Sequence, residues 1–317
     1  MNAVLELKGV VKQYGRIRAL DGLTMSVPTG SIFGLVGSNG AGKTTAMAVS
    51  LGLLHCSGGE VSLFGEGPFA ADLHAGRVSL LPQDSRFPPH ARVIDLLRYY
   101  GRLQGLSKDR LEESISSLLD WVHLQDRRKS PVRTLSHGMS RRLSIVQAFL
   151  GAPELVLLDE PLNGLDPREA ARIRELIRQR HGRQTIVISS HNLGDIEALC
   201  DHVAFIEKGR LVRQDAMEAI VHRRHRVSYV LAQPVMPGVM SEAIPDVSWE
   251  ALPDGVTLTA NFDATIAPEE LNARVLRVLL DKGIGIQEVR RGSDLETEYL
   301  NMHPAQPLPP ALPLPMT

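Results

Sequence analysis

The stretch "SIFGLVGSNGAGKTT", Ser31 to Thr45, limits the folds open to this chain more than any other. Residues suited to a buried strand run straight into G-x-x-x-x-G-K-[ST], and a helix-compatible segment follows at once. Glycines at 37, 40 and 42 let the backbone curl with its N–H groups turned inward, and the helix start behind them adds a favourable dipole. A loop of that form, Gly37, Ser38, Asn39, Gly40, Ala41, Gly42, is shaped to wrap a phosphate. Lys43 then reaches the β- and γ-phosphates, the Thr44 hydroxyl that closes the motif is positioned to ligate Mg²⁺, and Thr45 follows it at the start of the helix. The plain rival, a flexible glycine turn beside a surface lysine, does not account for the strand before the loop and the helix after it.

The expected fold is α/β. "ELVLLDE" and "QTIVISSH" are continuous apolar runs, as parallel strands covered on both faces require, and each precedes a helix-compatible segment. Asp159 and Glu160 close the first run, which brings two carboxylates to the carboxyl end of a buried strand, where open α/β sheets bind ligands. Asp159 is suited to hold Mg²⁺ through water, and Glu160 to polarise a water attacking a γ-phosphate. Surface acids at a helix N-terminus are the bland alternative. Ahead of the phosphate loop, short apolar stretches broken by "YG", "DG" and "PTG" read as antiparallel strands. Leu96, Leu97, Tyr100 and Leu103, then Leu111, Ile115, Leu118, Leu119 and Val122, keep helical spacing and mark a helical insert within about 84–150.

A charged stretch at 222–226, "HRRHR", ends this core. The expected division is 1–220 for the nucleotide-binding domain, 221–303 for a small α+β domain, and 304–317 for a proline-rich disordered tail. In the small domain "RVSYVLA", "VSWEAL", "VTLTANF" and "IGIQEV" read as strands, and "PEELNARVLRVLLDKG" and "DLETEYLNM" as helices.

Composition narrows the partners. With 35 basic and 36 acidic residues, the chain has no charge excess to favour duplex nucleic acid, and no basic aromatic segment suits RNA. Two cysteines without CxxC spacing, Cys56 and Cys200, fit packed thiols in a reducing interior. The first residues carry Glu6 and Lys8 where a secretory signal needs an apolar run. No stretch approaches the ~20 apolar residues of a membrane helix, so membrane work requires a second chain.

Taken in order, "QYG" with Tyr14, the phosphate loop, "LLPQD" with Gln83, "LSHGM", "LVLLDEP", "LNGLDP" and "ISSH" with His191 resemble the ATP-binding subunits of ABC transporters over roughly residues 3–215. The resemblance implies a P-loop NTPase core with an antiparallel β subdomain and a helical insert, ATP and Mg²⁺ as cofactors, and a second such subunit as partner. Tyr14 would stack on adenine, Gln83 would touch Mg²⁺ and signal to an integral membrane permease, and His191 would contact the γ-phosphate. Taken singly, each has a structural rival: a hairpin aromatic, a strand-end amide, a solvent-facing histidine. Ser136 and Gly138 of "LSHGM" would face ATP held by the other subunit, in a homodimer or a pair with a related chain. His137 and Met139 depart from the family's LSGGQ. Ser136 also suits a helix cap, and Asp166 suits a cap for a helix begun by Pro167.

The segment after Gln83, with its "LQGL" end, and the appended α+β domain are similar to subunits that energise ABC-2 type exporters of drugs, polysaccharides, lipids or antibiotics. That places the chain on the cytoplasmic face of a membrane, held there by its permease. Two other readings stand beside it. A soluble ABC ATPase remodelling a macromolecular complex usually carries two ATPase halves, and this chain has one. A poorly hydrolysing regulatory subunit draws support from "HGM", against the intact Glu160 and His191.

Overall fold

The computed structural model describes residues 3–221, 226–252, 254–263 and 265–291. The chain divides into two compact units between Met217 and Glu218. In the first, β1 (Ala3–Tyr14) and β2 (Ile17–Pro28) form an antiparallel hairpin, and β3 (Ile32–Val36) runs into α1 (Lys43–Ser50). β4 (Gly58–Leu63) returns to pair with β1, and the short α2 (Ala71–His74) leads to β5 (Val78–Leu81). The insert contributes α3 (Val93–Leu103), α4 (Lys108–Trp121) and α5 (His137–Phe149). Then come β6 (Leu155–Asp159), α6 (Pro167–Arg178), β7 (Thr185–Ser190), α7 (Leu193–Leu199), β8 (His202–Glu207) and β9 (Arg210–Ala216), and α8 (Met217–Val221) starts at the division between the units.

The large sheet has the order β5-β6-β7-β3-β8-β9, parallel except for the edge strand β9. Every residue of β3, β6 and β7 is buried, which is why these stretches read as unbroken apolar runs. Parallel register brings the carboxyl ends of β5, β6, β7 and β3 to one edge. Asp159 pairs with Ser189 across β6 and β7, and Val36 pairs with Ser190 across β3 and β7. α7 lies close over β3 because Gly34 lacks a side chain: a Cβ there would come within 2.6 Å of Ile196 Cγ2.

Helix starts follow the caps. The Ser136 hydroxyl accepts the Met139 N–H at 3.2 Å, and Asp166 accepts from the N–H groups of Arg168 and Glu169, with Pro167 in the first turn. In the insert, Glu112 sits between Arg98 and Arg128, and the Arg98 guanidinium holds its carboxyl below the usual range. α5 is fastened to its surroundings by Arg142, which donates to Val122 O and pairs with Glu169 at 3.1 Å. β8, β9 and the short α2 were not anticipated from sequence.

The second unit holds an antiparallel sheet in the order β11-β12-β10-β13: β10 (Arg226–Leu231), β11 (Ser248–Ala251), β12 (Thr257–Asn261) and β13 (Ile286–Arg291). Its helices are α9 (Pro237–Ala243), which was not anticipated, and α10 (Pro268–Asp281). Tyr229, Trp249, Leu271 and Val275 join in one core. The stretch "DLETEYLNM" and the tail at 304–317 lie outside the described residues.

Cys200 is buried, and burial pushes its thiol well above the ordinary range; Cys56, expected to be packed as well, is only half-buried. A thiol reagent should therefore titrate one cysteine quickly in the folded chain and the second only after denaturation. Gly34→Ala should cost about 1–3 kcal/mol by overpacking, read as a lowered melting temperature.

Candidate active site

At the carboxyl edge of the sheet, a cleft of about 410 Å³ is lined by Ala19, residues Asn39 through Thr45, Gln83, Glu160, Asn163 and His191. The loop that forms its floor is held from inside by Lys43. This buried side chain folds back to donate to Gly37 O at 2.7 Å and Ser38 O at 3.3 Å. Gly42 caps α1 with φ +109, and a Cβ on it would come within 2.6 Å of Ala19 O, so glycine is required there on both counts.

Behind the loop lies a buried carboxylate. Asp159, 1% exposed, accepts from Thr44 Oγ1 at 2.7 Å through Oδ2 and from Ser189 Oγ at 2.5 Å through Oδ1. Ser189 Oγ also accepts the Glu160 N–H at 2.9 Å, so one hydroxyl joins both acids of the strand end. Ser189 lies within "ISSH", where no local pattern gives it a role. Its signal was there in the strand register, which an alignment of β6 with β7 would have revealed.

Glu160 turns out of the strand with φ +48, a left-handed conformation that costs a side-chain-bearing residue on the order of 1–2 kcal/mol. The turn directs its carboxylate back over the loop. There Lys43 Nζ lies 3.5 Å from Oε1, and His191 Nδ1 lies 3.1 and 3.0 Å from Oε1 and Oε2. A ring nitrogen so close to a carboxylate carries the proton and donates it. The Lys43 and Glu160 side chains are each 7% exposed, so their pairing lies largely out of water, whereas the His191 side chain is 48% exposed.

The remaining expected residues fall into two groups. Gly37 and Ser38 serve the loop through their carbonyls, and Gln83 lines the cleft. Tyr14 does not line it: the ring sits at the end of β1, 45% exposed, beneath Lys12 Nζ at 5.0 Å. Ser136 and Gly138 do not line it either. Gly138 faces α6, where a Cβ would meet Glu169 Cγ at 3.1 Å, so this glycine has a packing reason within its own chain. Ala19 and Asn163, which line the cleft, were not among the expected residues.

A lysine-bearing phosphate loop at the edge of a mostly parallel sheet, facing an Asp–Glu pair at the end of β6, one strand removed from β3, defines a P-loop nucleoside triphosphatase. The family model described as "ABC transporter" matches residues 20–163. Nod factor export ATP-binding protein I of Burkholderia orbicola is 32% identical over 303 residues, 95% of this chain and 97% of that protein. The uncharacterized ABC transporter ATP-binding protein YhaQ of Bacillus subtilis is 29% identical over 282 residues, 88% of this chain and 92% of its own. Among solved structures, an ATP-binding subunit of an ABC transporter superposes with TM-score 0.62 at 27% identity, covering 69% of this chain and 92% of that one. The chain belongs to the ATP-binding subunits of ABC transporters, and it is an ATPase. Among the described residues, no helix is long and apolar enough to cross a membrane.

Ser189→Ala removes a donor from Asp159 and leaves the Glu160 N–H buried without an acceptor. It should destabilise the first unit by about 1–3 kcal/mol, measured by denaturant unfolding of the nucleotide-free protein.

Proposed function

We propose that this subunit drives an ABC-2 type exporter, by ATP-dependent closure of two copies head to tail and hydrolysis with Glu160 as general base. The observation that carries the reading is the placement of Glu160. Its carboxylate is the partner of Lys43 and of His191, the two groups assigned to the ATP phosphates. Phosphate oxygens entering the loop compete for both. As Lys43 turns to them, the Glu160 carboxylate is left to accept a proton from water, with His191 beside it to orient the reacting groups.

Mg²⁺ fits the oxygen donors present. The Thr44 hydroxyl, bonded to Asp159 through its proton, keeps lone pairs for a cation, and Gln83 offers an amide oxygen from the cleft wall. Among the described residues no cluster of three or more His, Cys, Asp or Glu could hold a metal, so the other ligands would be phosphate and water, as Mg²⁺ prefers. Bound there, Mg²⁺ would neutralise charge on the β- and γ-phosphates.

Ser136 and Gly138 stand outside the cleft of their own chain, which supports a role toward nucleotide on a second copy. Coupling to an integral membrane permease is assigned to the insert. Tyr99, 59% exposed, and Leu103, 66% exposed, crown α3, with Phe87 against Tyr100 at 6.4 Å. That apolar surface suits a helix offered by the permease. The relatives named for Nod factor export support export as the direction, and the expected class of cargo remains drug, polysaccharide, lipid or antibiotic. On this reading the subunit sits at the cytoplasmic face, held by its permease.

Glu160→Gln should retain ATP binding, lower turnover by about 10²–10⁴-fold and elute as an ATP-bound dimer in size-exclusion chromatography. Turnover at the wild-type rate would require another base. Gly138→Asp should abolish hydrolysis in the assembled complex. Because Glu169 adjoins Gly138 within the chain, the informative variant is Gly138→Asp with Glu169→Gln, which relieves the local repulsion. Recovery of activity in that double variant would mean that Gly138 acts by packing and not on a phosphate.

A further inference from the structure

Arg141, on the second turn of α5, is 8% exposed. Its guanidinium donates from Nε to Pro161 O at 2.9 Å, from Nη2 to Glu160 O at 2.5 Å and Asp159 O at 3.4 Å, and from Nη1 to Gln83 O at 3.2 Å. Among the described residues, no carboxylate lies within ion-pair distance of it. A buried cation is costly to desolvate, and this one is compensated by converging carbonyl dipoles and by the longer-range charges of Asp159, Asp84 and Glu160. Arg142, its neighbour, does a different job, fastening α5 to Val122 and Glu169.

The carbonyls that Arg141 gathers belong to two segments that leave the paired strands β5 and β6 just past their last pair, Leu81 with Leu158. Asp159, Glu160 and Pro161 form the exit of β6, and Gln83 follows β5. Within the first lies the left-handed turn at Glu160. Such a conformation persists in a residue with a side chain only where its neighbours hold it. The Glu160 N–H is held by Ser189, and its carbonyl by Arg141 together with the Asn163 N–H at 3.2 Å, so the residue is pinned on both sides. Were the turn to relax to an extended form, the carboxylate would leave Lys43 and His191.

We propose that Arg141 is a positioning residue for hydrolysis: it holds the Glu160 turn in its left-handed form, and it makes that hold depend on where the Gln83 segment sits. The guanidinium is planar and its donors diverge in a fixed fork, so it cannot follow Gln83 away from β6 and keep all its carbonyls. Displacement of the Gln83 segment, which leads into the insert, therefore loosens the base, and its return restores the base. This role rests on the reading of Glu160 as the general base.

The test uses the full chain in its assembled complex, with Arg141→Lys and Arg141→Met, each alone and with Glu160→Gln. Turnover is measured at saturating ATP, and affinity by titration with a fluorescent ATP analogue. Arg141→Lys keeps the charge but offers a single nitrogen, and it should lower kcat by about 10–100-fold while the dissociation constant stays within about twofold. In the Glu160→Gln background the same substitution should change the residual rate by less than about twofold, since the group it positions is already gone. Arg141→Met removes every donor and should lower kcat at least as far as Arg141→Lys; if it fails to fold, Arg141→Lys carries the test. The proposal is overturned if Arg141→Lys keeps kcat within twofold of wild type. It is equally overturned if kcat and affinity fall together, or if the full loss recurs on top of Glu160→Gln, because either result describes a structural role. Wild-type turnover by Glu160→Gln alone is a separate failure, that of the base assignment itself.

Discussion

The site depends on one buried carboxylate. Asp159 ends β6 almost without exposure to water, and an unpartnered acid in that position would cost several kcal/mol. Its two hydroxyl partners come from different parts of the chain: Thr44 opens α1 behind the phosphate loop, and Ser189 sits opposite in β7. Satisfying Asp159 thus fixes the loop, β6 and β7 against one another. A slip of one residue between the two strands would turn Ser189 to the opposite face and leave the acid with Thr44 as its one hydroxyl partner. The same Ser189 hydroxyl takes the N–H of Glu160, so the support of the first carboxylate also sets the backbone of the second.

Lys43 and Glu160 are both buried, and each is the other's neighbouring charge. A loop holding an unpaired buried lysine would be destabilised in the absence of phosphate, and pairing with Glu160 offsets that cost. The pairing also keeps the Glu160 carboxylate occupied. On the proposed function, nucleotide binding would exchange one anion for another at Lys43 and free that carboxylate only where phosphates are present. Helix α5 enters the same economy of contacts from outside the cleft, through its capped start at Ser136 and the buried arginines on its second turn.

Much of this was legible in the sequence because it is carried by local signals. A glycine loop between strand and helix, apolar runs ending in acids, and Ser136 and Asp166 as caps need only short-range chemistry to be recognised. The convergence of Gln83, Asp159 and His191 followed from each ending a parallel strand. What stayed hidden depends on pairing across long separations. Ser189 becomes informative only once β6 and β7 are in register, and Arg141 only once two strand exits meet. β8 and β9 were passed over because "HVAFIE" is bounded by charged residues and β9, an edge strand, is only partly buried. Gly138 reads in sequence as an opening toward phosphate, and the fold adds a second reason for it in Glu169. Tyr14 matches a family position, yet its ring lies outside the cleft, because the end of a hairpin is placed by tertiary geometry that no local pattern encodes.

On the proposed function, a complete hydrolytic site takes its phosphate loop from one copy and its Ser136–Gly138 segment from another. Mixing two inactive chains tests it directly: one carrying Lys43→Ala, the other Gly138→Asp, combined in equal amounts in the assembled complex. In a two-fold dimer, each mixed pair would contain one site with both defects and one with neither. Random pairing should therefore recover about a quarter of wild-type ATP turnover, if the two sites act independently. No recovery in mixed dimers shown to have formed would contradict the account and place both segments in the same site.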